Sequence, residues 1–396
     1  MSPAPVAKFD SAETDSAACR WLLRSGIRSP GSGVASRGAI CRAFDARRLV
    51  FLPPYPEITA YAVQFHLHRS QNAADGDFAA ACESGGWLAS VQADEKSPTP
   101  GAFPYSVENG EPVGGYFTFD TAIAGNALLD LGAATGEHQY RDAAERAGRW
   151  VLSQQKFDGS FSAGGGGTRP VSWAGSGGSL HGKLALFLGR LWRQSGVATY
   201  RSAALKLLGW LGNLQRSDGG IVTAPGSNYV LAHAHCYAVE GLLAGATVLD
   251  ERRYVGGAAR GAGFLADVQR SNGGIPRHQG HGVVPYLKEC GARLPHVRML
   301  AAPSDVGATA QAVRIWTWVQ ELGYGDFARH IKRGLAWLCA CQFRSADTRI
   351  DGGFPAGIDP LKPWRRREMS LYPWVAIFVA DACRLQRRVN VANDLY

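Results

Sequence analysis

The chain carries little charge for its length and few of the signals that mark a membrane or secreted protein. Only 19% of its 396 residues are Asp, Glu, Lys or Arg, against 46% hydrophobic residues, which excludes a disordered chain. No apolar run approaches the roughly 18 residues that a membrane-spanning helix needs. The opening "MSPAPVAKFDSAETDSAACR" lacks a basic start and an apolar block, so no secretory leader is expected. The eight cysteines include no CxxC pair of the metal-binding kind. They read as reduced thiols of a cytoplasmic protein, with Cys339 and Cys341 as packing residues.

Positive charge is in excess. Lys and Arg number 42 against 33 acidic residues, a net +9 that comes mostly from arginine. That balance points to an anionic partner: an acidic sugar, a phosphate or a membrane surface touched peripherally. Nucleic acid is not expected, because the basic residues are dispersed and no recognition motif accompanies them. The densest run, "KPWRRRE" at 362–368, fits either an anion patch or a solvated face.

What the sequence does contain is a repeat. "WLGNLQRSDGGI" at 210–221 recurs as "WVLSQQKFDGSF" from Trp150, "FLADVQRSNGGI" from Phe264 and "WLCACQFRSADTRIDGGF" from Trp337. Trp87 opens "WLASVQ", followed after an insertion by "GAFPY", and a degenerate copy begins at Trp21. The anchors are spaced by 66, 63, 60, 54 and 73 residues, which makes six units of one body rather than several unrelated domains.

Each unit reads as two helices. In "VATYRSAALKLLGWLGNLQ", Ala204, Leu207, Leu208, Leu211 and Leu214 form a single apolar stripe, so this helix has a wet side. "SDGG" then stops it, with glycine supplying the left-handed backbone a helix end favours. The following "HAHCYAVEGLLAGATVL" is apolar nearly all round and must be enclosed. Amphipathic helices are expected near 13–25, 77–92, 140–155, 200–215, 254–269 and 327–342. Enclosed ones should begin near 55, 120, 180, 233, 305 and 370. The last enclosed helix lacks an amphipathic partner after it and the first amphipathic helix lacks one before it. The spacing therefore predicts an all-α (α/α)6 barrel, a closed ring of six hairpins. Residues 13–388 form its single domain, between tails at 1–12 and 389–396.

The links from amphipathic to enclosed helices are long: 26–54, 93–119, 156–179, 216–232, 270–304 and 343–369. All six fall on one face, around the starts of the enclosed helices, where long loops in a compact body tend to be functional. Those starts carry "YPE" at 55–57, "FDT" at 119–121, "SLHGK" at 179–183, "HAHCY" at 233–237, "SD" at 304–305 and "EMSLYPW" at 368–374. Titratable and aromatic side chains thus converge on one mouth. Glu57 and Asp120 are the candidate acid–base pair; the competing reading for Asp120 and Asp305 is helix capping, and for Glu57 the helix dipole. His233 or His235 is the candidate assisting base. As a zinc pair they are weak, needing a third ligand such as His181, and no metal or cofactor is expected. Tyr55, Tyr116, Trp173, Tyr237, Tyr372 and Trp374 are candidates for stacking on a sugar, against core packing. Arg169 and Lys183 are candidates for binding a carboxylate, and His181 and Asp305 complete the substrate-binding set. His278, His281 and His296 in the longest loop read as lid or solvated residues.

Two motifs fail. "GGSLHGKL" at 177–184 approaches a phosphate loop, but Leu184 stands where a Ser or Thr would hold magnesium. "GGGG" at 164–167 reads as a flexible hinge.

The "WL…Q…DGG" units resemble the repeats of the squalene-cyclase and protein-prenyltransferase toroids. The whole chain, with "YPEITAY", "FDTAIAGNALLDLG", "DGSF" and "HCYAVEGLL", is more similar to bacterial toroid proteins of polysaccharide gene clusters. These are related in fold to unsaturated glucuronyl hydrolases, uronate lyases and sugar epimerases. The resemblance implies a carbohydrate-active enzyme on a uronate-containing glycan, working by hydrolysis, β-elimination or epimerisation, with Glu57 and Asp120 as carboxylates. An isoprenoid cyclase or transferase is the alternative, though no Asp-x-Asp-Asp occurs and Ala234 replaces a prenyltransferase's zinc histidine. A non-catalytic glycan-binding scaffold is the third.

Overall fold

Wet and dry helices alternate along the chain, and that alternation sets the architecture. In the computed structural model, residues 9–28, 36–70, 76–166, 175, 177–279, 302–359 and 369–387 are described. They contain twelve α-helices. The amphipathic set is α1 (Ser11–Arg24), α3 (Gly76–Val91), α5 (His138–Ser153), α7 (Ala198–Gly212), α9 (Val255–Val268) and α11 (Ala328–Cys341). The enclosed set is α2 (Pro56–Arg69), α4 (Thr118–Thr135), α6 (Leu184–Ser195, entered by a 3₁₀ turn Gly178–Lys183), α8 (Ala232–Thr247), α10 (Val306–Glu321) and α12 (Pro373–Leu385). Each enclosed helix packs on the next, α2 on α4 and so on to α12, which returns to α2 and also packs on α1. Two concentric rings result: a six-hairpin toroid, with helix bounds within a few residues of those expected.

The repeat has a mechanical explanation. The amide nitrogen of Gln215 donates to the carbonyl of Gly219 in its own turn (3.1 Å) and to that of Gly257 on α9 (2.8 Å). Gln92, Gln155 and Gln269 tie their turns to α5, α7 and α11 in the same way. In the last unit the next outer helix is α1: Gln342 donates to Gly352 O (3.1 Å) and to Thr14 O (2.9 Å), and the ring closes. The turn glycine is required twice over. Gly352 has φ +90, and a Cβ there would lie 2.3 Å from the carbonyl oxygen of Ala17 on α1. Gly136, which ends α4 at φ +76, faces open space instead. Gly352→Ala is therefore expected to cost about 1–3 kcal/mol more in urea unfolding than Gly136→Ala. Equal costs would mean that the turn does not press on α1.

Among the described residues the long links are knitted into four small sheets. β3 (Pro104–Glu108) and β4 (Glu111–Phe117) form a hairpin, extended by β5 (Gly164–Gly165) from the next unit. β1 (Phe44–Asp45) pairs with β2 (Val50–Phe51) and with β11 (Ser370–Leu371), joining the first and last units. β6 (Val230–Leu231) pairs with β8 (His278–Gln279), while β9 (Ser304–Asp305) lies between β7 (Ile275–Pro276) and β10 (Gly357–Ile358). These strands were not expected. The "GGGG" reading needs correction where it is described: Gly164 is no hinge, because it pairs with Phe117, and a Cβ on it would sit 2.4 Å from Tyr116 O.

Candidate active site

The starts of α2 and α4 bring Glu57 and Asp120 together at the long-link end of the ring, 4% and 0% exposed. Tyr55, the residue before α2, joins them: its hydroxyl donates to Asp120 Oδ2 at 2.9 Å and also lies within hydrogen-bonding reach of Glu57. Asp120 Oδ1 is buried and has no partner among the described residues. Tyr105 packs edge-on against Tyr55 at 4.8 Å, and Arg42 donates to its hydroxyl at 2.7 Å.

Burial decides the protonation of this pair. It pushes Glu57 up to about 8, against the opposing pull of the Tyr55 hydroxyl and the Lys183 ammonium. Asp120 is raised well above the carboxylate range, first by burial and then by the charge of Glu57, with only the Tyr55 bond opposing. Like charges in one dry pocket cannot both form cheaply. The asymmetry is that Lys183 favours ionised Glu57 and, among the described residues, no cation does the same for Asp120. Glu57 therefore loses its proton first and Asp120 retains one, on an oxygen that no neighbour occupies.

Beneath the pair the ring axis is charged. Lys183 Nζ meets Glu240 Oε2 at 2.8 Å, and Arg314 Nη1 lies 3.7 Å from Glu240 Oε1. Burial alone would raise Glu240, but Lys183 and Arg314 together hold it below the usual range. Lys183 also sits over the rings of Tyr61, Tyr237 and Phe378, at 5.3, 5.0 and 5.8 Å.

The remaining candidates divide. His233 opens α8 half-buried, with its ring 4.9 Å from Trp374 and 4.5 Å from Tyr237; burial lowers it to about 4, so it is neutral. Tyr116, Tyr372 and Trp374 are part-exposed, the last two with ring centres 6.3 Å apart. His235 is a correction. Two residues along a helix turn it about 200° from His233. Its Nδ1 accepts from Ile221 N–H at 3.1 Å and its Nε2 donates to Gly261 O at 3.0 Å. It braces a turn against α9 and has no nitrogen left for chemistry. Lys183 is corrected as a carboxylate binder, being spent on Glu240. Tyr55 and Tyr237 are not stacking platforms: both are buried, the one bonded to Asp120 and the other sharing a 2.9 Å hydroxyl contact with Tyr61. His181 is 1% exposed against Phe161 and is a wall residue. Asp305 caps α10, accepting from Ala308 N–H at 2.9 Å. Arg169, Trp173, His281 and His296 lie outside the described residues. Among the described residues no three His, Cys, Asp or Glu side chains are grouped to hold a metal ion.

Tyr61, Tyr105, Glu240 and Arg314 were missed. The last two had a signal, since Glu240 is the lone charge of its helix and Arg314 the one charge within the enclosed turns of α10, and such charges are almost never buried unpaired. Glu240 follows His233 by seven residues, which puts both on one helix face.

The sequence matches no family model and no curated protein. Solved structures do match along the whole chain. A sugar epimerase from a ruminal bacterium superposes with a TM-score of 0.71 at 11% identity, covering 95% of this chain and 99% of its own. Cellobiose 2-epimerase from Bacillus thermoamylovorans B4167 gives 0.69 at 10%, over 95% and 97%. Unsaturated glucuronyl hydrolase from Bacillus sp. GL1 gives 0.66 at 11%, over 96% and 97%. This chain has their fold. At these identities the likeness carries the scaffold only, and the chemistry has to come from the residues in the mouth.

Proposed function

We propose that the protein is a carbohydrate-active enzyme that acts on an acidic sugar by acid–base chemistry at the mouth of the toroid. The observation that carries this reading is the Tyr55-linked pair of Asp120 and Glu57. Asp120 is the general acid and gives its Oδ1 proton to the oxygen that leaves or is remodelled. Glu57, which Lys183 helps to ionise and which loses its proton first, near pH 8, is the conjugate base or nucleophile. Two neighbouring carboxyls that give up their protons one after the other supply the acid and the base that glycoside chemistry needs. His233, Tyr116, Tyr372 and Trp374 line the rim where a sugar ring would lie. That the fold's solved relatives include a sugar epimerase and a glucuronyl hydrolase supports the sugar as substrate class.

An isoprenoid pocket would require an apolar interior, and the axis here carries Lys183, Glu240 and Arg314 instead. Mass spectrometry of uronate oligosaccharides after incubation tests the proposal. Hydrolysis adds water across the cut bond, elimination leaves an unsaturated end, and epimerisation leaves mass unchanged but alters chromatographic mobility. Unaltered oligosaccharides that nonetheless bind would replace the enzyme reading with a scaffold.

A further inference from the structure

If the substrate is acidic, something must hold its charge, and the residues expected from sequence do not serve. Lys183 is locked to Glu240, and Arg42 is spent on Tyr105, close to the carboxylate pair. The opposite wall of the mouth offers Arg277. In ring order, the gap between α8 and α10 lies across from the gap between α2 and α4 that holds Glu57 and Asp120.

Arg277 is fixed there by its backbone and only half used by its side chain. Its carbonyl accepts from Ala232 N–H, the first residue of α8, at 2.9 Å, and its own N–H donates to Pro303 O at 2.9 Å. The guanidinium Nε donates to Asp305 Oδ2 at 3.1 Å. Asp305 thus has one oxygen on the α10 cap and one on Arg277. The terminal nitrogens of Arg277 have no bond to the described residues, and its side chain stays 32% exposed. Space is kept for them: a Cβ on Gly357 would lie 2.6 Å from Nη2. Two helix starts, α8 and α10, flank the guanidinium and add partial positive charge. Beside it Tyr229 hydroxyl is bonded to His278 Nδ1 across the β6–β8 pair. His278 and His233 are both lowered to about 4, chiefly by burial, so of these three side chains Arg277 is the cation, paired through Nε with Asp305.

We propose that Arg277 is the carboxylate anchor of the site, gripping an acidic sugar with its two terminal nitrogens while the reacting end of that sugar faces Asp120 and Glu57. The planar fork matches a carboxylate's two oxygens, which Lys could not do. Six helix axes about 9 Å apart in a ring put opposite axes about 18 Å apart, so the two walls face each other across the ring. This inference rests on the acid–base reading above and adds its substrate selectivity.

The test uses calorimetric titration of the full chain with two probes that differ only in charge, cellotetraose and its C6-oxidised counterpart, a tetraglucuronate. The wild-type protein is expected to prefer the uronate by about ten- to a hundredfold, the value of a charge-assisted pair. Arg277→Ala should abolish that preference and leave cellotetraose affinity unchanged. Arg277→Lys should keep part of the affinity, and its melting curve separates lost recognition from lost folding. A uronate preference that survives in Arg277→Ala overturns the anchor alone. So does wild-type binding of cellotetraose without preference, and the acid–base reading then stands. Failure of the wild-type protein to bind either probe contradicts both.

Discussion

Asp120→Asn is expected to lower turnover by about a hundred- to ten-thousandfold, the usual contribution of a positioned general acid, while the fold melts no lower than before. The amide keeps the shape of the carboxyl and can still accept from Tyr55 through its oxygen. Its neutrality should help. A carboxyl whose folded pKa is raised holds its proton more tightly folded than unfolded, so its contribution is fully present below the unfolded pKa. That contribution fades as pH climbs to the folded value. For Glu57 the window runs from 4.5 to about 8, and Asp120, raised further, extends it upward. The wild-type protein should therefore lose stability across this range at up to about 1.4 kcal/mol per pH unit and group. Asp120→Asn should lose less, so the variant melts at or above wild type by pH 8. A folded variant with full activity would remove Asp120 from the chemistry.

Glu240→Ala should be the most destabilising single change on the ring axis, at about 3–5 kcal/mol in denaturant unfolding. The reason is what it leaves behind: Lys183 and Arg314, 8% and 5% exposed in their side chains, would face each other without the carboxylate that separates them. Glu240→Gln keeps the volume but not the charge and should fall between. Freed from Glu240, Lys183 would also lean on Glu57, so the stability cost should come with a lower Glu57 pKa. A loss under about 1 kcal/mol would mean that the cluster is solvated rather than dry.

The toroid was legible because its cause is local and repeated. Gln215 with Gly219, and the equivalent pairs in other units, encode one staple each, and the staple needs a glycine wherever the turn meets the next outer helix. The placement of Glu57 and Asp120 beside each other was legible for a related reason: the start of an enclosed helix points to the mouth whatever the loops do. His235 misled because proximity in sequence to His233 says nothing of facing, and helical geometry sends the two apart. The role of Lys183 depends on Glu240, a residue 57 positions later by subtraction of their numbers, so no local pattern discloses it. The hairpin of β3 and β4 did have a signal, Asn109-Gly110, both at positive φ as a two-residue turn demands. The two-residue strands did not, since pairing between distant loops creates them. Arg277 lay hidden likewise, in a loop whose partners are Ala232, Pro303 and Asp305.

The most direct measurement is infrared titration of the side-chain carboxyls in wild type and Asp120→Asn. The account predicts acid carbonyl absorption that persists at pH 7 in the wild-type protein and fades only at higher pH, the Glu57 component near pH 8 and the Asp120 component above it, with the Asp120 component missing from the variant. A wild-type spectrum with every carboxyl ionised at pH 7, or a band untouched by the substitution, would contradict it.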